Sequence, residues 1–368
     1  MRAEFSFLPD RIFLNHAGVS PLPQRVRKAM VAALESHDGQ VLSGDLVEKP
    51  QALREALASL AGVSPSDMAL VPNTSTAVSM LASGLKLRAG EEILLPEAEY
   101  PANAYGWLKQ RDRGLRVTLV PEREGRVTAS DLLEACGSKT RLIAVSSVQF
   151  GSGYRVNLDE LGEGCRKKKV LLFVDAAQSL GVFPLNAGQR GISFAAGSGW
   201  KWLLGPPGTG WLFVSAEALD LIDPPVVGAE SMAKALDDVN YSFDYKPDTS
   251  RFEPGGSPSI LWAGLEASAS WLAQIGPGAL GERILALTAV LAEALRTHGW
   301  EVVSPRGPGE GSGIVSCRSP RVSSNEAARV LLGAGVQARV RRGWLRLSPH
   351  AYNTEQEMEK AVSLLPKG

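Results

Sequence analysis

This chain of 368 residues lacks any excess of positive or negative charge: 39 Lys and Arg stand against 39 Asp and Glu. Binding through a general basic field, to nucleic acid or to a membrane surface, is therefore not expected. Cysteine is scarce too. Cys136, Cys165 and Cys317 are too few and too unevenly spaced for a disulfide scaffold or a zinc site, which fits a reducing compartment and predicts no metal. No apolar run reaches the roughly 18 residues of a membrane-crossing helix. Near the start, charges and Pro9 precede any apolar stretch of leader length, so a cytoplasmic location is expected. Internal repeats and low-complexity tracts are absent. What remains is 44% hydrophobic and 21% charged, ordinary for a globular protein. A chain this long needs no disulfide or metal to hold a core.

At roughly 150 residues per domain, the length suggests two domains, or one large and one small. Short apolar runs alternate with helical patterns from residue 64 to residue 215. Leu70–Val71, Glu92–Leu95, Arg116–Val120, Leu142–Ser146, Val170–Val174 and Gly210–Val214 read as buried strands. Thr76–Leu85, Asn103–Asp112, Ala129–Cys136 and Leu158–Lys168 carry apolar residues at helical spacing. Strands that alternate with helices need crossover connections, which predicts an α/β fold with a mostly parallel sheet. A Pro-rich polar stretch, Asp223–Pro258, is expected to lie over the sheet edge or to reach a partner subunit. Ile260–Gln274 and Leu280–Gly299 then read as long helices. Beyond them Glu301–Ser304, Gly313–Arg318, Ala338–Val340 and Trp344–Ser348 read as strands. Asn325–Leu332 and Thr354–Leu365 read as helices, the last opened by a capping box of Thr354 and Glu357. This tail predicts a smaller α+β domain.

The most informative segment is VLLFVDAAQSLGVFPLNAGQRGISFAAGSGWKWLLGPPGTGWLFV, Val170–Val214. Asp175 ends an apolar strand, where open parallel sheets hold ligands. Gln178 follows on the same exit loop. Ser198 lies in the small-residue run Ala195–Gly199, and Lys201 sits between Trp200 and Trp202 ahead of the glycine-rich loop Gly205–Gly210. Each feature alone has an ordinary reading: a helix cap, a lysine stem over a surface, a turn. Together they meet the needs of pyridoxal phosphate, which takes a lysine on its aldehyde and an acid against its pyridine nitrogen. The acid keeps that nitrogen protonated, so the ring can draw electrons from a carbanion. Hydroxyls and helix-start N–H groups serve the phosphate. The lysine must be a neutral amine, and desolvation between two indoles would lower its pKa.

The stretch DAAQ…GSGWKWLLGPPGTG resembles the Asp-x-x-Gln strand exit and Ser-x-x-Lys of the class V aminotransferase family. These are fold-type I enzymes that include cysteine desulfurases and isopenicillin N epimerase. The resemblance runs from about Phe13 to Val362. It implies a large domain, 15–258, with a mostly parallel sheet of the seven-stranded type between helices. It implies a small domain of residues 259–368 with 1–14. Lys201 would be the Schiff-base lysine, Asp175 the pyridinium partner, Gln178 a neighbour of the phenolic oxygen and Ser198 a phosphate donor. Trp200 stands where many relatives carry His, a departure at one expected phosphate contact.

Other segments resemble the same family. FLNHAGVSPLP is similar to its opening strand and turn, which would bring Asn15 near the substrate; His16 alone is more often structural. PNTSTAVSMLASGL is similar to its phosphate cup, with Ser75 and Thr76 the expected donors at a helix start. EAEYPANAYGW resembles the segment that carries a ring stacked on the cofactor, with Tyr100 where desulfurases usually place His. SSVQFGSGYRVNL resembles the next loop, with Phe150 where desulfurases often have Asn and Gln149 as a substrate contact. RFEPGGSPSI resembles Arg-Phe-Glu-x-Gly-Thr-Pro, one residue longer, with Ser257 in the Thr position. In relatives this loop reaches the phosphate of the neighbouring subunit, so a homodimer with shared sites is implied. VQARVRRGWLRLSPHAYNTEQEMEKAV resembles the closing segment, whose arginine binds the substrate carboxylate. Arg346 matches that position, and its fork suits two carboxylate oxygens. In the nearby cluster of Arg339, Arg341 and Arg342, Arg339 is expected to face the site.

Class V members include aminotransferases, cysteine desulfurases, selenocysteine lyases, kynureninases and epimerases. Desulfurases need a nucleophilic Cys on a loop ahead of the carboxylate arginine. Here the interval Val340–Leu345, VRRGWL, has no cysteine and no room for such a loop. Cys317 reads as a buried strand residue. Transamination, epimerisation and β/γ-elimination at the α-carbon of an amino acid remain, each starting with Lys201 as general base. An aminotransferase is the expectation. An epimerase, a C–S or C–Se lyase and a catalytically inactive binding homologue are the alternatives.

Overall fold

The computed structural model describes residues 1–7, 10–43, 50–234, 241 and 243–368. The chain opens with a short strand, β1 (Ile12–Phe13), and two helices, α1 (Gln24–Ser43) and α2 (Gln51–Ala61). Alternation then follows as the sequence predicts: β2 (Met68–Val71), α3 (Thr74–Gly84), β3 (Glu92–Pro96), α4 (Pro101–Leu108), β4 (Arg116–Val120), α5 (Ala129–Glu134) and β5 (Thr140–Ser146). It continues with α6 (Leu158–Lys168), β6 (Leu171–Asp175), α7 (Ala187–Arg190), β7 (Phe194–Ser198) and β8 (Gly210–Val214). Strands β2 to β8 form one sheet in the order β2-β8-β7-β6-β5-β3-β4. Only β8 is antiparallel to its neighbours. The loop between β7 and β8 holds no crossover helix, and a direct return can join only antiparallel strands.

Side chains alternate across this sheet. Leu172 and Val174 enter one core with α2, α6 and the helix that follows the sheet, whereas Phe173 enters a second core with α3 and Trp107 of α4. Burial on both faces accounts for the nearly unbroken apolar runs of these strands. Strand β7 is the one the sequence hides. Its Ala-Ala-Gly-Ser composition has little strand character, yet space demands it. A Cβ on Gly197 would stand 2.8 Å from the Trp211 ring, and one on Gly199 would stand 2.2 Å from Thr209 Oγ1.

The second part holds α8 (Ser259–Ile275), α9 (Pro277–Thr297), β9 (Glu301–Val302), β10 (Val315–Arg318), α10 (Ser324–Gly333), β11 (Val336–Gln337), β12 (Arg339–Arg341), β13 (Trp344–Leu347) and α11 (Glu355–Ser363). Four of the strands make a sheet in the order β12-β13-β10-β9, and β11 pairs in parallel with β1. Their core joins Ile12 and Leu14 to Leu291, Leu345, Leu347 and Met358. The boundary expected at residue 259 falls at the start of α8. That helix packs along α1 and α2, and its Trp262 and Leu265 join the core of the large sheet. Helix α9 spans both parts, with Ile284 in the first core and Leu287 in the third.

The stretch before α8 does lie against the edge strand β2. Glu253 accepts the Leu70 N–H at 2.6 Å and pairs with the buried Arg54, whose Nη1 also donates to the Met68 carbonyl. Among the described residues no single helix is long and apolar enough to cross a membrane. The pair α8 and α9 would qualify by composition together, but it bends by 84°.

Candidate active site

The candidate site lies at the C-terminal ends of β5, β6 and β7. Asp175 terminates β6 and is 4% exposed. Its Oδ1 accepts the Ala177 N–H at 2.9 Å, which aims the carboxylate along the strand exit. Burial pushes the Asp175 carboxyl up, while the nearby Lys201 ammonium and the Ala177 N–H pull it back.

Lys201 sits in the return from β7 to β8. The loop is closed by Gly199 N–H to the Thr209 carbonyl and by Gly205 N–H to the Gly199 carbonyl, each at 2.8 Å. Leu204, fully buried, takes a left-handed φ of 60° to complete the turn. A leucine there costs on the order of 1–2 kcal/mol, which the packed surroundings hold in place. Lys201 is buried, and desolvation lowers its pKa to about 8; Asp175 opposes the shift, and the charges of Arg346 and Arg341 add to it. Its Nζ stands 5.1 Å from the centroid of the Tyr100 ring. The Phe150 ring meets that ring edge to face, with centroids 5.1 Å apart. Tyr100 is itself positioned at the N-cap of α4, just before Pro101 at the first helical position.

Gln178 is held at both ends. Its Nε2 donates to the Ala17 carbonyl at 2.9 Å, and its Oε1 accepts the Trp202 indole N–H at 2.7 Å. One amide N–H is left over. Trp202 is 1% exposed, so it is a brace for Gln178 as well as a wall beside Lys201. Trp200 is only part-buried, and its carbonyl accepts the Ser20 N–H. The two indoles therefore do different things.

The expected phosphate donors lie at the end of β7 and at the start of α3. Ser198 ends β7 opposite Gly210 of β8, and a Cβ on Gly210 would stand 2.9 Å from Cα of Asn73, the N-cap of α3. Ser198 Oγ is buried with no partner, an orphan that a phosphate oxygen would satisfy. Of the two expected donors at the helix start, Thr76 is already engaged. Its N–H and Oγ1 both donate to Asn73 Oδ1, at 2.8 and 3.1 Å. Ser75 is exposed at the open end of the helix. Ser257 is exposed on the loop before α8, and its side chain makes no hydrogen bond among the described residues.

The arginine expected to meet a carboxylate is buried. Arg346 lies on β13, is 1% exposed, and donates through Nη1 to the Phe150 carbonyl at 2.8 Å. Its Nε and Nη2 are buried and unpartnered. Burial, with help from Arg341, lowers its pKa to about 9, so it stays charged at neutral pH. Asn15 is buried with an unpartnered Oδ1.

Gln149 braces the Tyr100 segment: Nε2 donates to the Ala98 carbonyl, and Oε1 accepts the N–H groups of Gly151 and Ser152. As in Gln178, one amide N–H is left over. In the arginine cluster Arg339 is exposed and opposes Arg346 across the hairpin, and Arg341 lies two residues further along the same strand. His16 is structural. Its Nδ1 bonds the Ser348 carbonyl, so it carries the proton there, and Nε2 accepts the Tyr352 hydroxyl at 3.0 Å.

Glu99 was not picked out by sequence reasoning. It accepts the Ser146 N–H and hydroxyl, and burial together with the Asp175 charge pushes its carboxyl up to about 7. Its place directly before Tyr100 was the available signal.

A buried lysine near an acid at a strand exit, with an aromatic ring beside it and an orphaned hydroxyl at the end of the neighbouring strand, on this sheet topology, defines an enzyme of the fold-type I pyridoxal-phosphate class. The chain belongs to the class V aminotransferases: the family model Aminotransferase class-V matches residues 12–360. It is 28% identical over 98% of its length to a probable cysteine desulfurase of Methanothermobacter thermautotrophicus, covering 95% of that protein. It is 30% identical over 97% of its length to isopenicillin N epimerase of Streptomyces clavuligerus, covering 94% of it. Among solved structures it superposes on the apo cysteine desulfurase of Thermococcus onnurineus NA1 with a TM-score of 0.89, at 24% identity over 98% of this chain and 95% of that one. It superposes on the cystine C-S lyase C-DES with a TM-score of 0.87, at 24% identity over 98% of both chains. The cofactor of the family is pyridoxal phosphate, and the donor set described above fits it.

Proposed function

We propose that the protein is a pyridoxal-phosphate-dependent aminotransferase acting at the α-carbon of an amino acid. The observation that carries this reading is Arg346, a buried guanidinium with two unpartnered donor atoms in the same site as Lys201 and Asp175. A buried charge left half-satisfied is costly unless an anion completes it.

Bound there, pyridoxal phosphate supplies an electron sink for charge that develops at the α-carbon. Asp175 would hold the ring nitrogen protonated, the remaining Gln178 N–H would serve the phenolic oxygen, and Tyr100 would cover the ring. Ser198, Ser75 and the open N–H groups of α3 would hold the phosphate. Arg346 fixes the amino-acid carboxylate, which sets the α-hydrogen against Lys201. The amine of Lys201, depressed to about 8, has a neutral fraction near physiological pH and moves that proton at Nζ. Transamination would need a single base that takes the proton from the α-carbon and delivers it, on the same face, to the carbon that bears the cofactor's imine, and Lys201 alone could serve.

Persulfide chemistry is not supported. All three thiols are pushed up by burial, Cys165 to about 12, and Cys317 donates to the Leu345 carbonyl. Val340–Leu345 is a tight hairpin with a two-residue turn and no loop for a nucleophile. Epimerisation is the second reading, favoured by relatives named isopenicillin N epimerase. A homodimer in the cytoplasm completes the proposal. Tyr241 at 92% and Phe243 at 72% exposure, on the stretch before α8, support a covered face.

The test is incubation of purified protein with pyridoxal phosphate and a panel of amino acids. A band near about 410–430 nm that converts to one near about 330 nm, with release of a keto acid, is the expected result. Lys201→Ala should abolish the borohydride-trappable adduct. Solvent deuterium at the α-carbon with racemisation and no keto acid would transfer the reading to epimerisation; ammonia with pyruvate would transfer it to elimination. No cofactor band at all would overturn it.

A further inference from the structure

The hairpin that carries Arg346 presents more positive charge than one carboxylate can use. In the ladder of β12 and β13, Arg339 opposes Arg346 and Arg341 opposes Trp344. Directly opposed residues share a face, and residues two apart return to it. Arg339, Arg341 and Arg346 therefore project from one face, while Leu345 and Leu347 point into the small-domain core. The turn is short, with Arg342 and Gly343 at φ 53° and 81°, which locks this register.

Neutralisation is uneven. Arg342, in the turn, pairs with Glu122 at 2.7 and 2.9 Å and lies over Trp344. None of the three on the shared face has an ion pair among the described residues. Arg341 has only the Val340 carbonyl, at 2.9 Å. Arg341 lies two residues along β12 from Arg339, the residue opposite Arg346, so it neighbours Arg346 on the same face of the hairpin. Like charges gathered in this way repel, and the amino-acid carboxylate answers only Arg346.

We infer that the substrate carries a second carboxylate on its side chain and that Arg341 binds it, making this an enzyme for acidic amino acids. Arg341 and Arg346 are diagonal neighbours, with Cα atoms about 7–8 Å apart in such a ladder, a span that suits a short dicarboxylate. This rests on the proposed chemistry at Lys201, but binding can be read without turnover.

Holoenzyme would be titrated calorimetrically with unreactive acids of matched length: succinate, glutarate and adipate against butyrate, pentanoate and hexanoate. At least one dicarboxylate should bind about tenfold or more tighter than its partner, as for a charge-assisted contact. In Arg341→Gln the preference should vanish while monocarboxylate affinity and the cofactor absorbance persist. Equal affinity in each pair, or a preference that survives Arg341→Gln, would overturn the inference and leave the proposed reaction standing. A preference in protein without a cofactor band would do the reverse.

Discussion

Arg346→Met separates the two demands on one side chain. The guanidinium is buried, keeps one hydrogen bond to the Phe150 carbonyl and leaves Nε and Nη2 unpartnered. Each orphaned donor costs about 1–3 kcal/mol, and the one charged hydrogen bond returns about 1.5–3 kcal/mol. The substrate-free protein therefore bears a net penalty on the order of 1–3 kcal/mol, which a methionine of similar length removes. Urea unfolding of the substrate-free variant should show a raised midpoint at an unchanged slope. Amino-acid binding should suffer in the opposite sense. Losing a buried charge partner weakens binding by about 2–5 kcal/mol, or about 30- to 5000-fold. The dissociation constant is read from the cofactor absorbance as amino acid is added. Arg346→Lys keeps the charge but not the fork and should fall between. A variant that unfolds more easily than the parent, or that binds amino acid within threefold of it, would refute the account of Arg346 as a waiting receptor.

Cofactor uptake by apoprotein needs the neutral amine of Lys201, so its rate should climb with pH around an apparent pKa of about 8, measured by stopped-flow absorbance. The same depressed lysine binds fewer protons folded than unfolded, so its contribution to stability grows as pH rises from about 8 towards its unfolded value. Glu99 works the other way: its carboxyl, raised to about 7, retains a proton that the unfolded chain has lost, so stability falls from about pH 4.5 to pH 7. Glu99→Gln should flatten that part of the pH–stability curve by on the order of 1–3 kcal/mol, and an unaltered curve would remove Glu99 from this role. Glu253→Gln leaves Arg54 buried without its anion and should cost about 3–5 kcal/mol in denaturant unfolding; less than 1 would show the pair to be dispensable.

Much of the scaffold was legible because parallel strands buried on both faces leave apolar runs that no loop shares. The strand exits marked Asp175, and the run into Trp-Lys-Trp marked Lys201. Strand β7 escaped notice because small residues, needed to pass Trp211 and Thr209, carry no strand signal. Helices α1 and α2 have no counterpart among the expected elements, and α8, expected to open the second part, packs its apolar face into the core of the large sheet.

The residue types needed for pyridoxal chemistry, and the order of strands and helices, are properties of the linear chain, because local period and the ends of apolar runs are local facts. Which groups remain free to act was decided by packing. Asn73 claims the donors of Thr76, Trp202 and Ala17 take both ends of Gln178, and the Gly151 and Ser152 N–H groups take the amide oxygen of Gln149. Hydrogen-bond capacity is finite, and only three-dimensional proximity determines where it is spent.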